Sequence, residues 1–245
     1  MELCGNVQSK MYSCLFIGKK VMEIIYVDNI LFWSVNENYI HEKAMQLRKQ
    51  GVDLEQEENI AGFMGVTLGR DEANGLLEMK KVGLVDCVTK TLGLGDGMTK
   101  RKFTPYESKL LVRDADGSAP YGTFSYSSVV GMLLYLSGHT RPDIAYAVNC
   151  CARYMFCPKH SYETALKCIG RYLKATQDLG LILNQSSDFC KLYCYPDADF
   201  FGMYRHEIPT DPACVKNRTG FVITFSYWPV YWASKLQTKT ALYTM

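Results

Sequence analysis

Apolar residues recur at two different periods along this chain, and the switches between them mark its organisation. Between residues 21 and 35, Ile24-Ile25-Tyr26-Val27 and Ile30-Leu31-Phe32 flank Asp28-Asn29, the composition of two strands around a tight turn. Residues 36–50 then place Ile40, Ala44 and Leu47 on one helical face, with Gly51 as a stop. Phe63 to Gly69 reads as a strand and Leu76 to Met79 as its hairpin partner. Val82, Val85, Val88 and Leu92 return at near-helical spacing ahead of the glycine-rich stretch Gly93 to Gly97. From there to about Gly122 the chain is polar and turn-rich, with Thr104-Pro105 and Asp114-Ala115-Asp116-Gly117, and is the first candidate linker.

The next sixty or so residues are helical in pattern. Val129, Leu133 and Leu136 share one face, and Ile144, Val148, Cys151 and Met155 form the stripe of a second helix. Thr140-Arg141-Pro142-Asp143 has the form of a capping box opening that second helix, and Pro158 is expected to end it. A third helix is expected over about 161–176, with Ala165, Ile169 and Leu173 inward and Lys167, Arg171 and Lys174 opposite. That basic row fits a phosphate backbone, and equally a solvated helix face. Four strand-like runs follow: 181–183, 191–195, 220–225 and 230–233. No internal repeat or low-complexity segment interrupts the pattern.

Length and composition narrow the class without deciding it. The 245 residues allow one or two domains with a sizeable core, and the formal net charge of +2 is too small to argue for nucleic acid by itself. Ten cysteines include no Cys-x-x-Cys pair and follow no secretory leader, so they read as reduced, mostly buried thiols. Cys157-x-x-His160 and Cys190-x-x-x-Cys194 are metal half-sites at most. No apolar run reaches the ~20 residues that span a bilayer. The expectation is an intracellular protein, cytoplasmic or nuclear, with no membrane partner and an oligomeric state the sequence leaves open.

The chemistry rests on Tyr26-Val27-Asp28-Asn29. An apolar strand, a turn bearing adjacent carboxylates and a second apolar strand would suit a polymerase site with two divalent metals roughly 4 Å apart. Here Asn29 occupies the second position. An amide offers one neutral oxygen and no charge, a poor ligand where a dication needs hard anionic oxygens. The same two residues also fit an ordinary hairpin turn.

Taken in order, these segments resemble the C-terminal part of a copia-type long-terminal-repeat retrotransposon polyprotein, covering the end of the reverse transcriptase and the start of the ribonuclease H. The resemblance runs from Gln8-Ser9-Lys10 and Cys14-Leu15-Phe16 through the Asp28-Asn29 hairpin, Phe63-Met64-Gly65 and Thr104-Pro105. It continues with Tyr126-Ser127-Ser128-Val129-Val130-Gly131, Leu134-Tyr135-Leu136, residues 140–148 and Arg171-Tyr172-Leu173-Lys174-Ala175-Thr176. Asp197-Ala198-Asp199-Phe200, Arg218-Thr219-Gly220 and Trp232-Ala233-Ser234-Lys235-Leu236-Gln237 complete it. It implies an α+β architecture: a partial reverse-transcriptase palm over 1–110, a helical thumb or connection over 111–180, and an incomplete ribonuclease H-like sheet over 181–245.

The resemblance also assigns roles. Asp28 matches the first hairpin aspartate, a polymerase metal ligand, while Asn29 replaces the second; the family's remaining polymerase aspartate belongs to a segment expected before residue 1. Asp197 matches the ribonuclease H metal ligand on the first strand, with Asp199 beside it. The glutamate of that site is expected just past Leu242-Tyr243-Thr244-Met245. Mg2+ is the implied cofactor, held weakly or not at all by Asp28, Asp197 and Asp199. The reading is therefore a truncated, catalytically inactive relative of an RNA-directed DNA polymerase and ribonuclease H. It retains at most weak binding to a duplex or RNA–DNA hybrid through Lys167, Arg171 and Lys174. Two rivals stand beside it: a polymerase component completed by missing segments, and a recruited interaction protein using Tyr227, Trp228, Tyr231 and Trp232.

Overall fold

A computed structural model describes residues 2–3, 5–56, 63–71, 73–95, 100–107, 110–184, 191–199 and 202–239. Asp96, Gly97, Cys4, Cys190, Phe200 and the 242–245 stretch lie outside the described residues. The chain divides into two compact units, 1–64 and 65–245.

In the first unit five strands run as an antiparallel meander: β1 (Glu2–Leu3), β2 (Asn6–Gln8), β3 (Leu15–Ile17), β4 (Met22–Tyr26) and β5 (Asn29–Trp33). Helix α1 (Glu37–Lys49) follows, and its N-terminus is capped by the Asn36 side chain accepting from the Asn38 amide at 3.0 Å. Gly51, at φ 89, ends it as expected. Leu47 is buried, and Ile40 and Ala44 are half-buried. The buried face also holds a lysine, Lys43, that the apolar pattern did not anticipate.

A 3-10 turn at Phe63–Gly65, where a strand was expected, carries the chain from residue 64 into the second unit, which begins with β6 (Thr67–Asp71) and β7 (Leu76–Lys80). Helices α2 (Val82–Thr91), α3 (Tyr126–His139), α4 (Ala145–Ala152) and α5 (His160–Ala175) form its core. Val88, Val129, Leu133, Ile144, Leu166 and Leu173 are fully buried there, each contributing about 1.5–3 kcal/mol of apolar transfer. Helices α2 and α5 approach closely at Gly170, where a Cβ would fall 2.5 Å from Leu92 Cδ1 and 2.7 Å from Leu94 Cδ1. No side chain larger than hydrogen fits without displacing both leucines.

Strand β8 (Leu181–Asn184) pairs with β7, giving the antiparallel sheet β6-β7-β8. The final sheet, β11-β10-β9, comprises β9 (Leu192–Asp199), β10 (Arg218–Phe225) and β11 (Trp228–Leu236). Its strands are longer than the apolar runs alone indicated. The architecture is thus α+β, with every sheet antiparallel. Division by compactness differs from the three-part division the resemblance implies, because β7 and β8 join residues 76–80 to 181–184 in one sheet.

Three expectations need correction. The described residues of 100–122 are not a spacer: Tyr106 and Leu111 pack on the helical core, and the Asp114 amide donates to the Tyr162 hydroxyl at 2.6 Å. The second helix ends at Ala152, well before Pro158, with turns between. No capping box forms at 140–143. Pro142–Ile144 is a 3-10 turn without a side-chain cap, because Arg141 captures the Asp143 carboxylate: Nε donates to Oδ1 at 3.0 Å and Nη2 to Oδ2 at 2.7 Å.

Candidate nucleic-acid interface and carboxylate positions

The β4–β5 hairpin pairs Tyr26 with Asn29, so its two-residue loop is Val27-Asp28 and not Asp28-Asn29. Val27 holds φ 53 while Asp28 stays at negative φ, the sign pattern of a type II′ turn. A β-branched residue in that left-handed region is strained, since its Cβ crowds the following carbonyl. Asp28 and Asn29 are both exposed, Asp28 in the loop and Asn29 as the first residue of β5.

One turn of strand below this tip, Glu23 is fully buried on β4. Lys43 of α1 approaches its Oε1 at 3.0 Å, and Asn6 Nδ2 donates to the same oxygen at 2.6 Å and to the Val21 carbonyl at 3.2 Å. Glu23 Oε2 has no hydrogen-bond partner among the described residues. This triad orients helix against sheet beneath the hairpin. Sequence reading missed it; Glu23 in an otherwise apolar strand run is the signal that was there to find.

Asp197 and Asp199 stand two residues apart on β9, opposite Gly220 and Arg218 of β10. Both are exposed. The carboxylate of Asp199 lies against Gly202, in space a Cβ there would occupy. Arg218 turns away from solvent: its guanidinium sits 4.9 Å over the Tyr146 ring and Nη2 donates to Cys150 Sγ at 3.5 Å. Among the described residues, no group of three His, Cys, Asp or Glu side chains is placed to hold a metal ion.

The basic row of α5 is half-buried rather than fully solvated. Lys167 Nζ lies 5.9 Å over the Phe124 ring. Lys174 Nζ donates to the Leu94 carbonyl at 2.9 Å and also to that of Gly95, tying the segment after α2 to the end of α5. Arg171 Nε is buried without a hydrogen-bond partner among the described residues.

Of the last-hairpin aromatics, Tyr227 and Tyr231 are exposed, and the Tyr227 ring stacks on Tyr193 at 4.9 Å. Trp228 and Trp232 are anchored instead, their indole nitrogens donating to the carbonyls of Asn184 and Ser137. No described helix is long and apolar enough to cross a membrane.

A second buried hub escaped the sequence reading. Glu207 accepts from the Arg113 amide at 2.8 Å, from Arg153 Nη2 at 3.0 Å and from the Tyr154 hydroxyl at 3.3 Å. It fastens the loop before β10 to the turn that follows α4 and to the 110–114 segment. No local pattern announces it, because its partners are 53 to 94 residues away.

No family model matches the chain, and no solved structure matches it. Known proteins do. The retrovirus-related Pol polyprotein from transposon RE2 of Arabidopsis thaliana is 29% identical over 237 residues, 95% of this chain. The retrovirus-related Pol polyprotein from transposon TNT 1-94 of Nicotiana tabacum is 27% identical over 91% of this chain. The secreted RxLR effector protein 161 of Plasmopara viticola is 34% identical over 117 residues, 48% of this chain and 76% of the effector. The chain spans 15% of the RE2 polyprotein and 16% of the TNT 1-94 polyprotein. Along nearly its whole length the chain is similar to retrovirus-related Pol polyproteins of copia-type retrotransposons.

Proposed function

We propose that this chain corresponds to the junction of reverse transcriptase and ribonuclease H in such a polyprotein, that it has lost polymerase chemistry, and that it still binds duplex or hybrid nucleic acid. The observation that carries the loss is the hairpin tip, where one carboxylate, Asp28, stands beside an amide, Asn29. Two-metal transfer needs anionic oxygens that hold both cations and offset their mutual repulsion. Asp28 with Asn29, or Asp197 with Asp199, is too small a donor set for tightly held Mg2+. Removing one well-placed electrostatic group from a catalytic site typically lowers rate by about two to three powers of ten.

Binding draws on Lys167, Arg171 and Lys174 at helical spacing on α5. Fluorescence anisotropy with a labelled RNA–DNA hybrid tests it. Affinity is expected to fall linearly with the logarithm of salt, and Lys167→Gln with Arg171→Gln to weaken it equally across sequences. Lys174 is left intact because it also secures the Leu94 and Gly95 carbonyls. Binding without salt dependence would exclude a phosphate-directed site. For catalysis, no primer extension is expected with magnesium or manganese; extension abolished by Asp28→Ala would restore the polymerase reading.

Exposed Tyr227 and Tyr231 favour a second reading, protein interaction through the last hairpin. A stoichiometric protein partner lost on Tyr231→Ser, with no nucleic acid bound, would support it.

A further inference from the structure

The segment before the candidate linker turns carries its own basic run, Lys100-Arg101-Lys102, and the structure brings its continuation at Thr104 against α5. Cys168 Sγ of α5 lies 4.0 Å from the Thr104 carbonyl. Lys102 and Arg171 are close enough to act on each other electrostatically, and both act on the Cys168 thiol. Lys100 and Arg101 are exposed. Lys102 Nζ is held by Glu107 Oε1 at 2.9 Å, with side chains 34% and 53% exposed.

We infer that Lys100, Arg101 and Lys102 join Lys167 and Arg171 in one phosphate-binding face for duplex nucleic acid, and that Glu107 occupies part of that face as an internal competitor for phosphate. The inference rests on the nucleic-acid reading above and extends it to a second segment. Geometry supports the extension. Lys167 to Arg171 spans about 6 Å at the helical rise, the length of about two base steps at 3.4 Å each. The two cations of the helix row therefore meet about two phosphates of one strand, and a second row beside it widens the contact. An exposed ion pair such as Lys102–Glu107 is weak and screened by salt. A backbone phosphate displaces the Glu107 carboxylate from Lys102, which exchanges one acceptor for another and leaves the carboxylate hydrated.

The test is the salt dependence of binding to a short DNA duplex, measured by anisotropy on the whole chain. Each phosphate contact contributes about −0.9 to the slope of log affinity against log salt. Wild type is expected to show a slope of about −4.5, and the triple variant Lys100→Gln, Arg101→Gln, Lys102→Gln a slope shallower by about 2.7. Glu107→Gln is expected to tighten binding several-fold. Circular dichroism melts keep folding in view, and Arg101→Gln alone, at an exposed position, serves as a milder variant with a shift of about one unit of slope. No salt-dependent binding by wild type would overturn the nucleic-acid reading itself. Binding weakened by Lys167→Gln and Arg171→Gln but untouched by the 100–102 variants would overturn this inference alone. Unchanged or weaker binding by Glu107→Gln would remove the competitor role.

Discussion

Glu23 of β4 and Lys43 of α1 form an ion pair of 3.0 Å inside the first unit, with their side chains 0% and 6% exposed. Removing one partner of such a pair leaves an uncompensated charge in low dielectric, so Lys43→Met is expected to destabilise by about 3–5 kcal/mol. Replacing both, as Glu23→Gln with Lys43→Met, is expected to recover much of that loss, because the glutamine amide still accepts from Asn6. Urea unfolding of the two variants decides. Equal loss in single and double variants would show that shape, and not charge, governs the site.

The hairpin tip offers a substitution in the opposite direction. Val27 is 80% exposed, so little burial is lost when it is changed, while its φ of 53 suits glycine. A non-glycine residue in the left-handed region carries about 1–2 kcal/mol of strain. Offset by the greater freedom of glycine in the unfolded chain, Val27→Gly is expected to stabilise by about 0.5–1 kcal/mol. The denaturation midpoint of the first unit should rise; a fall would mean that the turn is not of the II′ type.

These two sites show what the sequence made legible and what it did not. The buried stripes of α2, α3 and α5 were readable because Val85 and Val88, Val129 and Leu133, and Ile169 and Leu173 repeat at helical spacing. The hairpin was readable, but its register slipped by one residue, because Asp-Asn is the better turn dipeptide and strand pairing nevertheless places Val27 in the loop. The 98–122 stretch looked like a linker because polarity signals a turn; Tyr106 and Leu111, isolated in it, were the anchors. Glu23, Lys43 and Glu207 stayed hidden for one physical reason. A charge is buried only when its partner arrives from elsewhere in the chain, and local periodicity holds no record of that partner. For the candidate site, the residue types at 28, 29, 167, 171 and 174 were legible, while the approach of residues 100–107 to α5 was not.

Cysteine accessibility gives a direct check of the packing. Cys14, Cys87, Cys157 and Cys194 are exposed free thiols, whereas Cys150, Cys151, Cys168 and Cys214 are buried. Burial, with the Cys150 thiol beside it, pushes the Cys151 thiol up to about 12, and reaction requires the thiolate. Brief alkylation of the native chain at mildly alkaline pH, read by peptide mass spectrometry, is expected to label the first four and spare the second four until denaturant is added. Native labelling of Cys151 at the rate of Cys157 would contradict the helical core.

Asp143 ties the acid limb of stability to one network. Its carboxylate takes both Arg141 bonds and the Tyr172 hydroxyl at 2.7 Å, and Arg141 continues to Thr176, donating to its carbonyl at 3.0 Å and its hydroxyl at 2.7 Å. Burial acts to raise the Asp143 pKa, but the Arg141 hydrogen bonds and charge, with Tyr172, outweigh it and hold the carboxyl below its usual value. A depressed folded pKa means that the contribution is fully present above the unfolded carboxyl value of about 3.9 and is lost as pH falls through the folded one. The Asp143 side chain is 32% exposed, which screens the interaction. Asp143→Asn is therefore expected to cost about 2 kcal/mol at neutral pH, chiefly by leaving the Arg141 guanidinium buried without its carboxylate. It should cost progressively less below about pH 4, as the unfolded carboxyl takes up its proton first and the folded one only at lower pH. Thermal melts of both proteins from neutral to acid pH measure the gap. A gap that stays constant across that range would assign the loss to packing and remove Asp143 as the titrating anchor of the core.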